Sequence, residues 1–110
     1  MKKPSKIRVL HRTIPIRWSP AAINRASREE GEPLHGVYRS GEILVAPDQP
    51  DIERETLLHE ILHALIDQTA LASDGGPLSG DSEEQVIRTL SPLLFHTLRS
   101  NAALTRWMID

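Results

Sequence analysis

The spacing of apolar residues changes period about halfway along the chain. In the first half it is short and near two. Ile7 and Val9, then Ile14, Ile16 and Trp18, alternate with polar neighbours, which predicts strands over about 6–10 and 13–18 joined as a hairpin through residues 10–13. Pro15 has no N–H for a ladder and places its strand at an edge or a bulge. Ser19-Pro20 reads as an N-cap followed by proline at the first helical position, so a short helix is expected over 20–30. Gly31, Pro33 and Gly36 mark an irregular link. Residues 36–39 and 42–46 read as two more strands around a two-residue turn at Ser40-Gly41, ended by Pro47 and Pro50.

After Pro50 the period becomes helical. Asp51 is the expected cap of a long helix reaching about residue 70, with Glu53 and Glu55 in its first turns. Gly75-Gly76-Pro77 and Gly80 break the chain. Ser82 is the expected cap of a further helix from about residue 83, carrying Val86, Ile87, Leu90, Leu93, Leu94 and Leu98, with a kink at Pro92. Residues 101–109 form a last helical segment with Leu104 and Trp107. The pattern is that of an α+β domain with a short, mostly antiparallel sheet packed against helices. It is expected as one domain over 6–110 behind a flexible basic tail at 1–5.

Composition narrows the chemistry. The chain has 110 residues, 39% of them hydrophobic and 25% charged, which suits one soluble globular domain. Its four aromatics are Trp18, Tyr38, Phe95 and Trp107, so aliphatic side chains must build the core. It contains no cysteine, which excludes disulfides, thiolate metal sites and a cysteine nucleophile. Any metal must therefore be held by His, Asp and Glu. The basic start lacks an apolar signal region, and no run is long enough to span a membrane, so a cytoplasmic location is expected. Residues 1–28 carry eight basic side chains and no acid, whereas the net charge of the whole chain is -2. No aromatic platform accompanies these charges, so they read as the complement of an acidic remainder, and nucleic acid is not the expected partner.

The candidate chemistry lies in His59-Glu60-Ile61-Leu62-His63, an HExxH motif. Four residues turn an α-helix by roughly 400°, so both imidazoles leave one face and can share a metal. With Ile52 at zero, Leu57, Leu58, Ile61, Leu62, Leu65 and Ile66 spread over roughly 140° to 320°. His59 and His63 fall near 340° and 20°, and Glu60 near 80°. The helix is thus apolar over half its girth and keeps a polar stripe for the site. Glu60 sits beside the histidines, placed to reach a water without ligating the metal.

A catalytic zinc site needs a third protein ligand. Glu83 and Glu84 open the next helix. Helical phase puts Glu83 on the centre of the stripe holding Ile87, Leu90 and Leu94, and Glu84 near 100°, at its margin. Glu83 is therefore the expected ligand, Glu84 the alternative and Asp81 a weaker third. One of the two glutamates is expected only to complement the helix dipole. His11 is assigned to a turn and His96 to solvent; His35 lies near the third strand.

With these residues in place the sequence resembles the gluzincin metallopeptidases. It is more closely similar to very small HExxH proteins, many of them encoded in phage and prophage genomes, and to the related ImmA/IrrE-like group. The segment Glu55 to Ala64 resembles their active-site helix, and Glu84-Gln85-Val86-Ile87-Arg88-Thr89-Leu90 through Asn101 their closing helix. Gly36-Val37-Tyr38 and Ile43-Leu44-Val45 resemble the preceding hairpin, and the likeness covers about residues 6–107. It implies a small zincin-like fold in which the C-terminal helix bears a ligand. It implies one zinc ion on His59, His63 and Glu83, with Glu60 as general base for peptide-bond hydrolysis by a metal-activated water. A peptide or protein substrate would pair with strand 42–46 beside the helix. The alternative is a latent or regulatory zinc-binding module without proteolysis. The double glutamate and the missing Asn after it depart from the family pattern, and no oxyanion-steadying His or Tyr is evident.

Overall fold

The computed structural model describes residues 2–110. Strands β1 (Lys6–Val9), β2 (Arg12–Trp18), β3 (Gly36–Arg39) and β4 (Glu42–Val45) form one sheet in the order β1-β2-β4-β3. Helices α1 (Pro20–Glu30), α2 (Pro50–Asp67), α3 (Asp81–Ser100) and α4 (Ala102–Ile109) complete the chain, with a short 3₁₀ turn at Ala70–Ala72 between α2 and α3. β1 pairs with β2 and β3 with β4 antiparallel, whereas β2 and β4 run parallel across the crossover through α1. The fold is an α+β domain with a mixed sheet.

Local signals account for the elements. The Ser19 hydroxyl accepts the Ala22 N–H at 3.1 Å and Pro20 fills the first turn of α1; Gly31, at φ 76°, closes it. Ser40 and Gly41 both take positive φ, 53° and 76°, the handedness that a two-residue hairpin turn requires. Two expected caps are displaced. α2 starts at Pro50 with Gln49 as its cap residue, so Asp51 lies inside its first turn. α3 starts at Asp81 behind Gly80, so Ser82 is helical rather than capping. α3 also runs through Pro92 as one helix of 20 residues.

The sheet separates two apolar layers. Ile14, Ile16, Ile43 and Val45 face α2, where they meet Leu57, Ile61, Ala64 and Leu65. Leu44, on the opposite face of β4, packs with Ile23 and Ala26 of α1. This explains the unbroken apolar run of β4: an inner strand buried on both faces loses its alternation.

Pro15 does not mark an edge, because β2 lies inside the sheet between β1 and β4. The Ile16 N–H donates to the Ser5 carbonyl at 2.9 Å, so the nitrogen of Pro15 points away from β1. The β2–β4 ladder begins only at Ile16, so the missing donor costs no ladder bond.

α3 lies antiparallel across α2. Glu83 sits beside His63 near one end, and the Arg99 guanidinium pairs with Asp51 at the other, holding the Asp51 carboxyl below its usual range. In the segment read as a tail, Lys3 reaches Glu53 at 2.5 Å and lies 4.7 Å from the Trp18 ring centre, and the Pro4 carbonyl accepts the Trp18 indole N–H at 2.7 Å. Among the described residues no helix is long and apolar enough to cross a membrane.

Candidate metal centre

α2 divides its surface as its sequence predicts. One flank packs on the sheet, and the stripe beside it carries His59, Glu60 and His63. One donor atom from each of these three lies within 4.8 Å of the others, an arrangement compatible with a single metal ion. Gly36 lets β3 come close beside this cluster: a Cβ there would come within 2.6 Å of Thr56 Cγ2 and 3.3 Å of Glu60 Cγ. The edge strand therefore approaches α2 at the point where Glu60 is buried, at 5% exposure.

Both glutamates at the start of α3 turn toward the histidines, on different atoms. Glu84 spans the pair, with Oε2 at 2.6 Å from His63 Nε2 and Oε1 at 3.1 Å from His59 Nε2. Glu83 takes the other side of His63, with Oε2 at 2.5 Å from Nδ1. Asp81 is exposed at the first position of α3. The two ring centres are 5.1 Å apart. Two imidazoles and a carboxylate, with no thiolate, form a donor set that suits zinc.

The electrostatics follow from this crowding. Burial pushes the Glu60 carboxyl up to about 7, with the Glu84 charge adding to it and His63 and the Tyr38 backbone N–H pulling against it. Burial also lowers His59, helped by the neighbouring His63 and Arg88 and opposed by Glu84. Burial acts to lower His63 as well, but the hydrogen bond that its Nδ1–H donates to Glu83 and the charges of Glu60 and Glu84 outweigh it, and its pKa is raised.

The pair floors a cleft of about 710 Å³ between β3, α2 and α3. Its strand wall is β3, from Gly36 to Tyr38, and not residues 42–46: β4 is paired on both sides, so the free edge beside the site belongs to β3. His35 joins this wall. His11 occupies the β1–β2 turn and His96 is exposed, both away from the cleft. The Tyr38 hydroxyl donates to Asp67 at 2.9 Å; partial burial and this bond raise its pKa.

Two further residues of the cleft are not of metal-ligand type. Ser91, only 2% exposed, places its hydroxyl 3.4 Å from His59 Nδ1. Arg88 lies 3.6 Å from Glu84 and is the one Lys or Arg side chain lining the cleft among the described residues. Their signal was the spacing Glu84, Arg88, Ser91, which brings three polar residues to one helical face.

No family model matches the chain, and no curated protein or solved structure matches it.

Proposed function

We propose that this chain is a zinc-dependent peptide hydrolase of gluzincin type. The observation that carries the reading is the shared carboxylate: Glu84 faces the Nε2 atoms of both histidines while Glu60 is buried beside them. His59 and His63 would hold the ion through Nε2. Helical phase favoured Glu83 as third ligand; the distances favour Glu84, because Glu83 is engaged with Nδ1. A bound zinc supplies Lewis acidity, which acidifies water and polarises a carbonyl.

The protein's own part follows from its side chains. Glu60, with a pKa near 7, is matched to accept a proton near neutral pH and to return it to a leaving amine. The free edge of β3 offers backbone donors and acceptors to an extended peptide across the cleft. Arg88, beside Glu84, is the cation that lines the cleft.

The test has two arms. Zinc titrated into the protein should bind at one per chain, and binding should vanish in His63→Ala. A peptide library should then yield a cleavage that Glu60→Gln abolishes while zinc affinity is kept. Zinc binding with no Glu60-dependent cleavage selects the second reading, a zinc-binding module without proteolysis. One observation favours that reading: the single tyrosine near the site is tied to Asp67 and not free to steady an oxyanion.

A further inference from the structure

We infer that α3 is the outer support of the metal pair, with Glu83 and Ser91 as positioning residues that hold the Nδ1 atoms of His63 and His59 and so aim both Nε2 atoms at one ion. The inference rests on the metal-binding reading above and adds how the two ligands are oriented.

Three observations carry it. Each imidazole has one partner on Nδ1, and both partners come from α3: Glu83 Oε2 at 2.5 Å and Ser91 Oγ at 3.4 Å. Ser91 is buried at 2% exposure, and its hydroxyl lies 3.4 Å from His59 Nδ1 on the neighbouring helix. Thr89 and Thr97 of the same helix do the opposite, donating to the carbonyls of Gln85 and Leu93 four residues back. A hydroxyl with that local option, directed instead at a histidine on another helix, is held there by the packing of α3 on α2. The spacing also fits. Glu83 and Ser91 are separated by roughly 12 Å along α3, and the histidines by roughly 6 Å along α2. The antiparallel crossing matches their order, with Glu83 beside His63 and Ser91 beside His59.

The two supports differ in chemistry. A carboxylate only accepts, so Glu83 holds a proton on His63 Nδ1, and Nε2, which faces Glu84 at 2.6 Å, is the nitrogen left to ligate an ion once it gives up its own proton. A hydroxyl donates or accepts, so Ser91 serves His59 in either tautomer. In the structure His59 Nε2 faces Glu84; once that nitrogen ligates an ion, its Nδ1–H donates to Ser91. His63 is therefore the fixed ligand and His59 the adjustable one.

Zinc affinity, measured by competition with a chromogenic chelator, tests this, together with the visible absorption of the cobalt-loaded protein and the Tm of the metal-free protein. Glu83→Ala should weaken zinc about 10- to 100-fold and Ser91→Ala about 10-fold, at unchanged stoichiometry. Metal-free Tm should change little, and the cobalt bands should shift without a change of coordination number. Glu83→Gln and Ser91→Thr, which keep an acceptor in place, should recover most of the affinity. Wild-type affinity in both alanine variants overturns the inference, provided that His63→Ala still loses the metal. It is also overturned if Glu83→Ala loses zinc as fully as His63→Ala and Gln fails to rescue, because Glu83 is then a ligand. A wild-type protein that binds no zinc removes the metal reading itself, and the inference with it.

Discussion

The two flanks of α2 are built on opposite principles. On the sheet side Ile43, Val45 and Ala64 are fully buried in a dry aliphatic layer. On the other side the same helix presents two histidines to two glutamates and a buried serine of α3, with Glu60 buried beside them against β3. The first flank stabilises the fold by removing apolar surface from water. The second gathers three carboxyl groups around two imidazoles and holds one of those carboxyls far from its ordinary pKa, which costs stability. A domain of this size must make its core carry the site.

That contrast is open to experiment. Replacing Ile43 with Ala on the dry flank should cost about 3–4 kcal/mol in denaturant unfolding, from lost burial and the cavity left behind. A loss under 1 kcal/mol would mean that the sheet side is not where stability resides.

On the polar flank the sign should reverse. The Glu60 carboxyl is raised from 4.5 to about 7, so the folded protein binds more protons than the unfolded chain across that window. Stability of the metal-free protein should therefore fall as pH rises from about 4.5 to 7, by up to about 3 kcal/mol. Glu60→Gln should remove most of that slope and be the more stable protein at pH 8. An unchanged pH profile would show that Glu60 carries no such burden.

Zinc should relieve the same flank. At a hundred times its dissociation constant it should add about 2.7 kcal/mol to stability, and nothing in His63→Ala, read as Tm with and without chelator. Gly36→Ala joins the two regions: the new methyl would push on Thr56 and Glu60, so a cost of about 1–2 kcal/mol is expected, with weaker zinc binding alongside. Loss of stability with zinc affinity intact would separate edge-strand packing from the site.

The smallest effect belongs to the end of α2 remote from the site. There Lys3 and the Asp48 N–H hold the Glu53 carboxyl below its usual range. Its stabilising contribution is present above pH 4.5, its ordinary value, and is lost as pH falls through the depressed one. Glu53→Gln should flatten the acid limb of the stability profile, and Lys3→Ala should do so in part.

The sequence by itself determined whatever depends on neighbours a few residues apart. Ser19-Pro20 and Gly31 bound α1, Ser40-Gly41 turn β3 into β4, and the four-residue spacing of His59 and His63 puts both rings on one side of α2. All follow from backbone geometry and short-range hydrogen bonds. The tertiary structure decided what depends on how distant segments meet. Pro15 suggested an edge, but β4 returns parallel to β2 and encloses it, leaving β3 free beside the cleft. Helical phase ranks Glu83 above Glu84 by direction from one helix axis. Which carboxylate meets which imidazole nitrogen depends on where α3 lies across α2, and that is set by packing along both helices, with the exposed Asp51–Arg99 pair at their far end. Ser91 has no role in its own helix. It acquires one only because α3 carries it to His59.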